Sequence, residues 1–418
     1  METIVERCCG LDVHQATVVA CLLVGPPGKK THKEVRTFRT VTRELIELRD
    51  WLLSKQCTHV AMESTGVYWK PVYAILEDDF EMILGNAQHI RNVPGRKTDV
   101  KDSEWIANLV RHGLIAKSFV PPKPIRDLRE LLRYRRKLIE SRSTERNRLL
   151  KVLETANIKL SSMVSDAFGA CGRRMLAALA QGAASPQEMA QFAKGRMRRK
   201  IPDLELALEG RLEEHHRFLL SLQLRRLDQA DSDLAELDRR IDEKMVPYQA
   251  QREALAAIPG VERVVAAVIV AELGTDMTVF HSAQHLAAWA GLCPGNYESA
   301  GKRQSGNVRK GNVHLRTMLV EAAQSASTAK GSYLKDKFFR LQARRGRKRA
   351  IIAIAHKILI AAYQILCGNP YRDLGDAYLD RLSRHRVTNQ LVRRLERMGY
   401  DVQLVAADAA AAAAAAPS

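Results

Sequence analysis

Pro121-Pro122-Lys123-Pro124 cuts this chain into two stretches that obey different periodicities, so no single layer architecture satisfies both. Three fixed φ angles in four residues end any helix or central strand and leave a stiff joint. Upstream, short runs of β-branched and apolar residues alternate with helical patterns; downstream, apolar residues recur at helical spacing over long distances. The expected fold is α/β over residues 1–121 and all-α beyond it. The second part divides into a helical linker over 122–250, a further helical domain over 251–368 and a basic, then alanine-rich tail over 369–418 with little fixed structure.

In the first stretch, Arg7 to His14 and Thr17 to Val24 read as two strands joined at Gln15-Ala16, with Val35 to Phe38 as a third. Strand alternation puts Gly10, Asp12 and His14 on one face and Cys9, Leu11 and Val13 on the other, leaving Asp12 a lone acid in an apolar strand. His14 reads as an ordinary strand histidine. A helix capped by Thr42 runs through Leu53, His59-Val-Ala-Met-Glu63 is a short strand ending in an acid, and a helix from Tyr68 to Leu76 precedes a strand from Phe80 to Leu84. Parallel strands joined by helices place their ends along a common edge, where Glu63 falls.

Residues 95–106, Gly-Arg-Lys-Thr-Asp-Val-Lys-Asp-Ser-Glu-Trp-Ile, add two more acids. If the segment opens a helix, Asp99 and Asp102 share one face with Ile106 and Leu109, so both carboxylates are expected to point inward. A helix N-terminus, where Asp meets a favourable dipole, accounts for the same residues. Inward acids need a partner, and a divalent cation is the obvious one. Asp12, Glu63, Asp99 and Asp102 can be drawn toward one point, as holding two Mg²⁺ ions for phosphoryl transfer requires.

Beyond the proline joint, a basic helix is expected from Ile125 to Leu160 and another from about Leu204 to Met245. In the latter, Leu220, Leu227, Leu234 and Ile241 recur every seven residues, with Ala230 and Leu237 between, a stripe that suits coiled-coil pairing and dimerisation. Ile258-Pro-Gly-Val261 before a helix from Val264 to Leu273 has the look of half a helix-hairpin-helix element.

The net charge of +19 is concentrated: residues 122–160 hold 12 Lys+Arg against 5 Asp+Glu, and residues 299–350 hold 14 against 2. Clustering of this kind is the footprint of polyanion binding, although a ribosomal-type basic surface has it too. The second window contains the loop 296–312, with hydroxyls at Ser299 and Ser305, glycines at 301, 306 and 311, and cations at Lys302, Arg303, Arg309 and Lys310. Small residues let the backbone approach a phosphate and the cations stabilise charge on its oxygens. Arg316 follows on the polar side of the next helix, and Arg344, Arg345, Arg347, Lys348 and Arg349 form a dense basic run that suits a phosphate track. Seven scattered cysteines without CxxC spacing read as buried thiols. No apolar run approaches the roughly 18 residues that span a bilayer, and no signal peptide is evident, so a cytoplasmic protein without a membrane partner is expected.

Asp12-Val-His14, Met62-Glu-Ser-Thr-Gly-Val-Tyr-Trp69 and Lys97-Thr-Asp-Val-Lys-Asp102 together resemble the DEDD transposases of bacterial insertion sequences. Ser299-Ala-Gly-Lys302, Arg309-Lys-Gly-Asn312 and the helix after them resemble the C-terminal transposase domain of the same family. The resemblance covers residues 5 to about 367. It implies a RuvC-like (RNase H-like) N-terminal domain, a coiled-coil linker, and a metal site made by Asp12, Glu63, Asp99 and Asp102. It further implies a serine nucleophile, best matched by Ser299 with Ser305 as the rival. DNA donor and target, a non-coding bridge RNA as guide, and a dimer assembling into tetramers with catalytic parts from different protomers are its remaining implications, in a bacterial, nucleoid-associated setting. Two other functions fit the same residues: a metal-dependent junction-resolvase-like endonuclease using water, and a non-enzymatic nucleic-acid-binding protein.

Overall fold

A computed structural model describes residues 4–27, 29, 31–93, 102–182, 184–294, 297–299, 302–305, 308, 311–382 and 384–404. The chain forms two compact units, Met1–Pro121 and Pro122–Ser418.

The first unit is built on five strands: β1 (Arg7–Val13), β2 (Thr17–Val24), β3 (His32–Arg39), β4 (His59–Glu63) and β5 (Glu81–Gly85), in the order β3-β2-β1-β4-β5. β1, β2 and β3 pair antiparallel, whereas β4 runs parallel to both β1 and β5. The helices of this unit are α1 (Thr42–Ser54), α2 (Trp69–Leu76), α3 (Ala87–Asn92) and α4 (Asp102–Arg111). Thr42 lies inside α1 and does not cap it; the cap position is Val41, and Glu44 turns back to accept the Arg39 backbone N–H at 2.6 Å.

The sheet carries a core on each face because its central strands are apolar on both sides. Cys9, Leu11, Val60 and Met62 pack with Leu45, Leu48, Leu52, Val72 and Leu76 of α1 and α2. Cys8, Cys21 and Ala61 pack on the opposite face with Ile106, Ala107, Leu109 and Val110 of α4. Burial pushes the Cys8 and Cys57 thiols up to about 12 and that of Cys21 to about 11, which keeps them protonated. Cys367, by contrast, is exposed, because it sits at the end of a helix and not within the core.

α4 lies directly on β1 because Gly10 has no side chain. A Cβ there would stand 2.3 Å from both the Ala107 nitrogen and the Ser103 carbonyl oxygen. The helix runs against the strand direction, with its last residue, Arg111, accepting the backbone N–H groups of Ile4 and Val5 through its carbonyl at 2.9 and 3.2 Å. Its first residue, Asp102, is thereby carried to the Asp12 end of β1.

Among its described residues, the second unit is helical apart from one small hairpin. Its helices are α5 (Lys123–Thr155), α6 (Leu160–Met163), α7 (Ala170–Gln181), α8 (Pro186–Ala190), α9 (Ile201–Leu208), α10 (Glu214–Met245), α11 (Gln249–Ala256), α12 (Arg263–Leu273) and α13 (Ala283–Trp289). The hairpin strands β6 (Tyr297–Ser299) and β7 (Lys302–Ser305) follow, then α14 (Val313–Ala326), α15 (Tyr333–Arg345), α16 (Arg347–Leu366), α17 (Tyr378–Leu382) and α18 (Arg384–Glu396).

α5 and α10 pair antiparallel, as the ion pairs Arg135–Asp238, Arg142–Asp231 and Arg226–Glu145 record in their opposed order. Leu220, Leu227, Leu234 and Ile241, the heptad stripe expected to join two chains, are buried within this one. The helix expected from Leu204 is two helices, broken where Gly210 meets the Ala156 carbonyl; a Cβ would lie 2.5 Å from that oxygen. α5 stops at Thr155 and not at Leu160, because Asn157 adopts a left-handed backbone with φ of 57°.

α16 is long and apolar enough to cross a membrane by composition. Its Ala350, Ile351, Ile354, Ala355, Ile358, Leu359, Ala362 and Ile365 are buried, and it packs on α13, α14 and α15, so it serves this unit as a core helix. The tail expected to lack fixed structure contains α17 and α18. Polar pins hold its start: Asp373 accepts the Tyr333 and Gly375 N–H groups at 3.0 and 2.8 Å, and Arg340 reaches Asp380 at 2.6 Å. These contacts reach back 40 residues along the chain, so no local pattern announces them.

Replacing Gly10 by alanine is expected to force α4 off the sheet, at a cost of about 1–3 kcal/mol. Urea unfolding of the purified protein reads this as a lowered midpoint with an unchanged slope.

Candidate functional site

Three of the four acids singled out by sequence are described, and the first unit brings them to one edge of one sheet face. Gly10 pairs with Ala61 and Leu11 with Met62, so Asp12 and Glu63 fall one step further along two neighbouring parallel strands. Residues in register on adjacent strands point to the same face, and neighbouring strands are about 4.8 Å apart. That face is the one covered by α4, which Gly10 admits at van der Waals distance and whose first residue is Asp102. Asp99 lies outside the described residues.

The expectation of inward-pointing carboxylates fails for Asp102, which is exposed. The face of α4 laid on the sheet runs through Ser103, Ala107 and Val110, and Asp102, one position round the helix from Ser103, falls at its margin. The Asp12 side chain is 27% exposed and accepts a hydrogen bond from Nε2 of the exposed His14 at 3.1 Å. Glu63 is half-buried and accepts from the Thr65 hydroxyl.

Carboxylate oxygens alone make a donor set of the kind hard cations such as Mg²⁺ take, so the chemistry of these acids fits such an ion. Among the described residues the three do not close to within 4.8 Å of one another, whereas the ligand atoms of Glu213, His215 and His216 do. That second group is mostly exposed, and the Nδ1 of His216 already accepts the Glu213 N–H at 3.2 Å. It also stands at the N-terminus of α10, where the helix dipole opposes a cation. It is not where we place a metal.

In the second unit, the segment expected as a loop is a hairpin. Ser299 pairs with Lys302 at its closed end, and Tyr297 pairs with Ser305 nearer its base. Arg309 and Lys310 fall outside the described residues. Pro294 bridges Val308 below the strands. Gly311 then rests on the backbone of Ala290 and Gly291, where a Cβ would come within 2.4 Å of the Gly291 nitrogen.

Beneath the hairpin is a buried acid outside the set singled out by sequence. Glu272, 2% exposed, receives a bidentate pair of hydrogen bonds from Arg133 at 2.8 and 2.8 Å and one from the Asn312 side-chain amide at 2.7 Å. Arg129 donates to the Ala271 and Glu272 carbonyls at 3.0 and 3.0 Å. Burial alone would raise the Glu272 carboxyl; the Arg133 hydrogen bonds and the nearby Arg129 outweigh it and hold the group below the ordinary glutamate value. The signal was legible: Glu272 is the lone acid in the apolar run Val264 to Leu273, the same feature that marked Asp12. A cleft of about 240 Å³ opens alongside, with Arg133, Arg136, Lys137, His314 and Met318 in its walls.

Among the basic residues, Arg344, Arg345, Arg347, Lys348 and Arg349 are all exposed at the corner between α15 and α16, and none makes an ion pair with another described residue. Gly346 turns that corner with φ of 79°. Arg316 is half-buried on α14. The glycine of the Ile258-Pro-Gly-Val261 turn, φ 84°, backs onto α14, where a Cβ would lie 2.2 Å from the Ala322 carbonyl oxygen.

The first unit is thus a mixed sheet with acids at one edge, and the second is a helical unit carrying a hairpin with Ser299 and Ser305. Residues 9–158 match the DEDD transposases of IS110 type, and residues 252–338 match the transposase family described as IS116/IS110/IS902. The chain belongs to this family of transposases. It is 30% identical over 143 residues to the transposase-named y4pF/y4sB of Sinorhizobium fredii, covering 32% of this chain and 37% of that protein. It is 32% identical over 130 residues to the transposase for insertion sequence element IS1111A of Coxiella burnetii, covering 28% and 35% respectively. The chain thus spans little more than a third of the length of these curated relatives.

The depressed Glu272 carboxyl gives a pH signature. A lowered folded-state pKa stabilises the protein above the ordinary value of 4.5 and loses that contribution as pH falls through the folded value. Glu272→Gln is expected to flatten the acid limb of a plot of melting temperature against pH. Because it leaves the half-buried Arg129 and Arg133 with a weaker partner, it also costs about 1–3 kcal/mol near neutrality.

Proposed function

We propose that this protein is a DNA transposase that cleaves and rejoins strands with a carboxylate-bound divalent metal, Mg²⁺, and a serine nucleophile, Ser299. The observation that carries the first part is the register of β1 and β4, which sets Asp12 and Glu63 side by side under the N-terminus of α4. Asp12, Glu63, Asp99 and Asp102 would hold the ions. When bound, the metal neutralises charge on a scissile phosphate and on a leaving oxygen. Gly10 keeps Asp102 at the strand edge, and Thr65 and His14 orient Glu63 and Asp12 through their hydrogen bonds. A RuvC-like identity for the first unit is supported by its mixed sheet, three antiparallel strands followed by two parallel ones.

Ser299 is placed by its backbone at the closed end of a hairpin flanked by Lys302 and Arg303, which suits a hydroxyl presented to a phosphodiester. Attack by its oxygen on phosphorus would expel a DNA hydroxyl and leave a phosphoserine linkage, conserving the phosphoryl group for rejoining. Ser305, paired toward the hairpin base, is the alternative nucleophile. A bridge RNA as guide, and an oligomer acting on donor and target DNA, belong to the same proposal. The domain limits at 121, 250 and 368 do as well.

Ser299→Ala is expected to abolish the covalent protein–DNA adduct seen on a denaturing gel while DNA binding persists. An adduct retained by Ser299→Ala and lost in Ser305→Ala would transfer the role to Ser305, and free nicked product without adduct would favour a water-using nuclease. The exposed corner supplies a second expectation. Removing the charges of Arg344, Arg345, Arg347, Lys348 and Arg349 should lower the slope of log affinity against log salt by about 0.9 for each phosphate no longer neutralised, roughly uniformly across DNA sequences.

A further inference from the structure

We infer that Asn312 and Glu272 are a positioning pair that fixes the base of the serine hairpin, and that the reaction at its tip depends on them without either residue touching DNA. The inference rests on the reading of Ser299 as nucleophile, and it adds the part of the molecule that aims it.

The hairpin leaves the helical bundle through two feet. One follows α13, where Leu292 donates its N–H to the Ala287 carbonyl at 3.0 Å. The other is Gly311-Asn312, entering α14. The contact of Gly311 with Ala290 and Gly291 pinches the feet together, and the Pro294–Val308 bridge continues the closure. A pinch limits spreading but leaves the hairpin free to tilt about its base.

Asn312 removes that freedom. Its Oδ1 accepts the Leu315 N–H at 3.0 Å, capping α14, and its Nδ2 donates to Glu272 Oε2 at 2.7 Å. Both ends of the amide are engaged, so its orientation is determined: flipped, it would set an oxygen against a carboxylate. Glu272 is itself immobilised by the two Arg133 hydrogen bonds, and Arg129 clasps the backbone at the same point. The second foot is therefore tied through α12 to α5, three elements distant in sequence and rigid in themselves.

Leverage makes this tie matter. Five residue steps separate Pro294 from Ser299, which bounds the reach from base to tip at about 17 Å. Over such a reach a tilt of about 10° at the base moves the tip by up to about 3 Å, whereas reacting groups tolerate about 0.5 Å. A displacement of about 1 Å at a reacting atom is enough for roughly 100-fold in rate.

Asn312→Ser separates the two tasks of the side chain. The serine hydroxyl is a good N-cap and keeps the Leu315 hydrogen bond, but it is too short to span to Glu272. In the full-length protein we expect two changes with this variant. Amide hydrogen exchange across 297–305 should accelerate, and single-turnover formation of the protein–DNA adduct should slow by roughly 10- to 100-fold. DNA affinity should stay within about twofold of wild type, since no phosphate-binding group is removed. Asn312→Ala, which removes cap and tether together, should show the same exchange change with a lower melting temperature. Exchange and rate both at wild-type values in Asn312→Ser would overturn the inference, and so would a rate that falls only in step with DNA affinity. The nucleophile reading fails separately, by an adduct that survives Ser299→Ala, and the exchange measurement still decides whether the pair holds the hairpin.

Discussion

A buried carboxylate surrounded by donors organises the helical unit. Glu272 could not remain 2% exposed and ionised without the two hydrogen bonds of Arg133 and the amide of Asn312. Those partners come from α5 and from the start of α14, so satisfying one charge fixes three helices in relation to one another. Replacing such a cluster with apolar groups can be harmless to stability. Its presence here is better explained by the geometry it imposes, because an apolar contact would hold the helices together without specifying the angle of the chain that leaves them.

The first unit solves a comparable problem without charge. Its acids lie on different elements, and what brings them to one edge is a strand register and a missing side chain. β1 and β4 run parallel, which sets Asp12 beside Glu63, and Gly10 lets α4 descend far enough for Asp102 to join them. Neither device involves the acids themselves. A substitution at Gly10, which is no carboxylate itself, can therefore move Asp102 away from that edge through distance alone.

Much of this was legible in the sequence, and the remainder shares a cause. Strand alternation placed Asp12 on the face opposite Leu11, and the short strand ending at Glu63 was bounded as observed, because period-two patterning and turn residues are local signals. The heptad stripe in α10 was also visible, but its partner was not: apolar residues every seven positions ask for a covering helix without naming it, and α5 of the same chain supplies one. The loop carrying Ser299 gave no strand signal, since its glycines and cations suit a loop equally well, and the hairpin forms through backbone pairing. The inward orientation expected for Asp102 failed because the face of α4 that meets the sheet is centred on Ser103, Ala107 and Val110, and helical spacing alone does not say which flank of an apolar stripe is covered. The start of the tail, with α17, is anchored by long-range polar contacts of Asp373 and Asp380 that no local pattern announces, whereas α18 has a readable helical spacing in Leu391, Val392 and Leu395 that the basic composition masked.

The antiparallel pair of α5 and α10 has a mechanical meaning. With 32 residues in α10, the pair is a strut of about 48 Å at about 1.5 Å per residue. One end is rooted in the small core around Leu149, Leu176 and Leu220, near the exposed cations of Lys194 to Lys200, and the other begins where α5 clasps α12. Paired helices resist bending, so the two ends of the unit stay at a constant separation, and a push at one end arrives at the other as the motion of a rod.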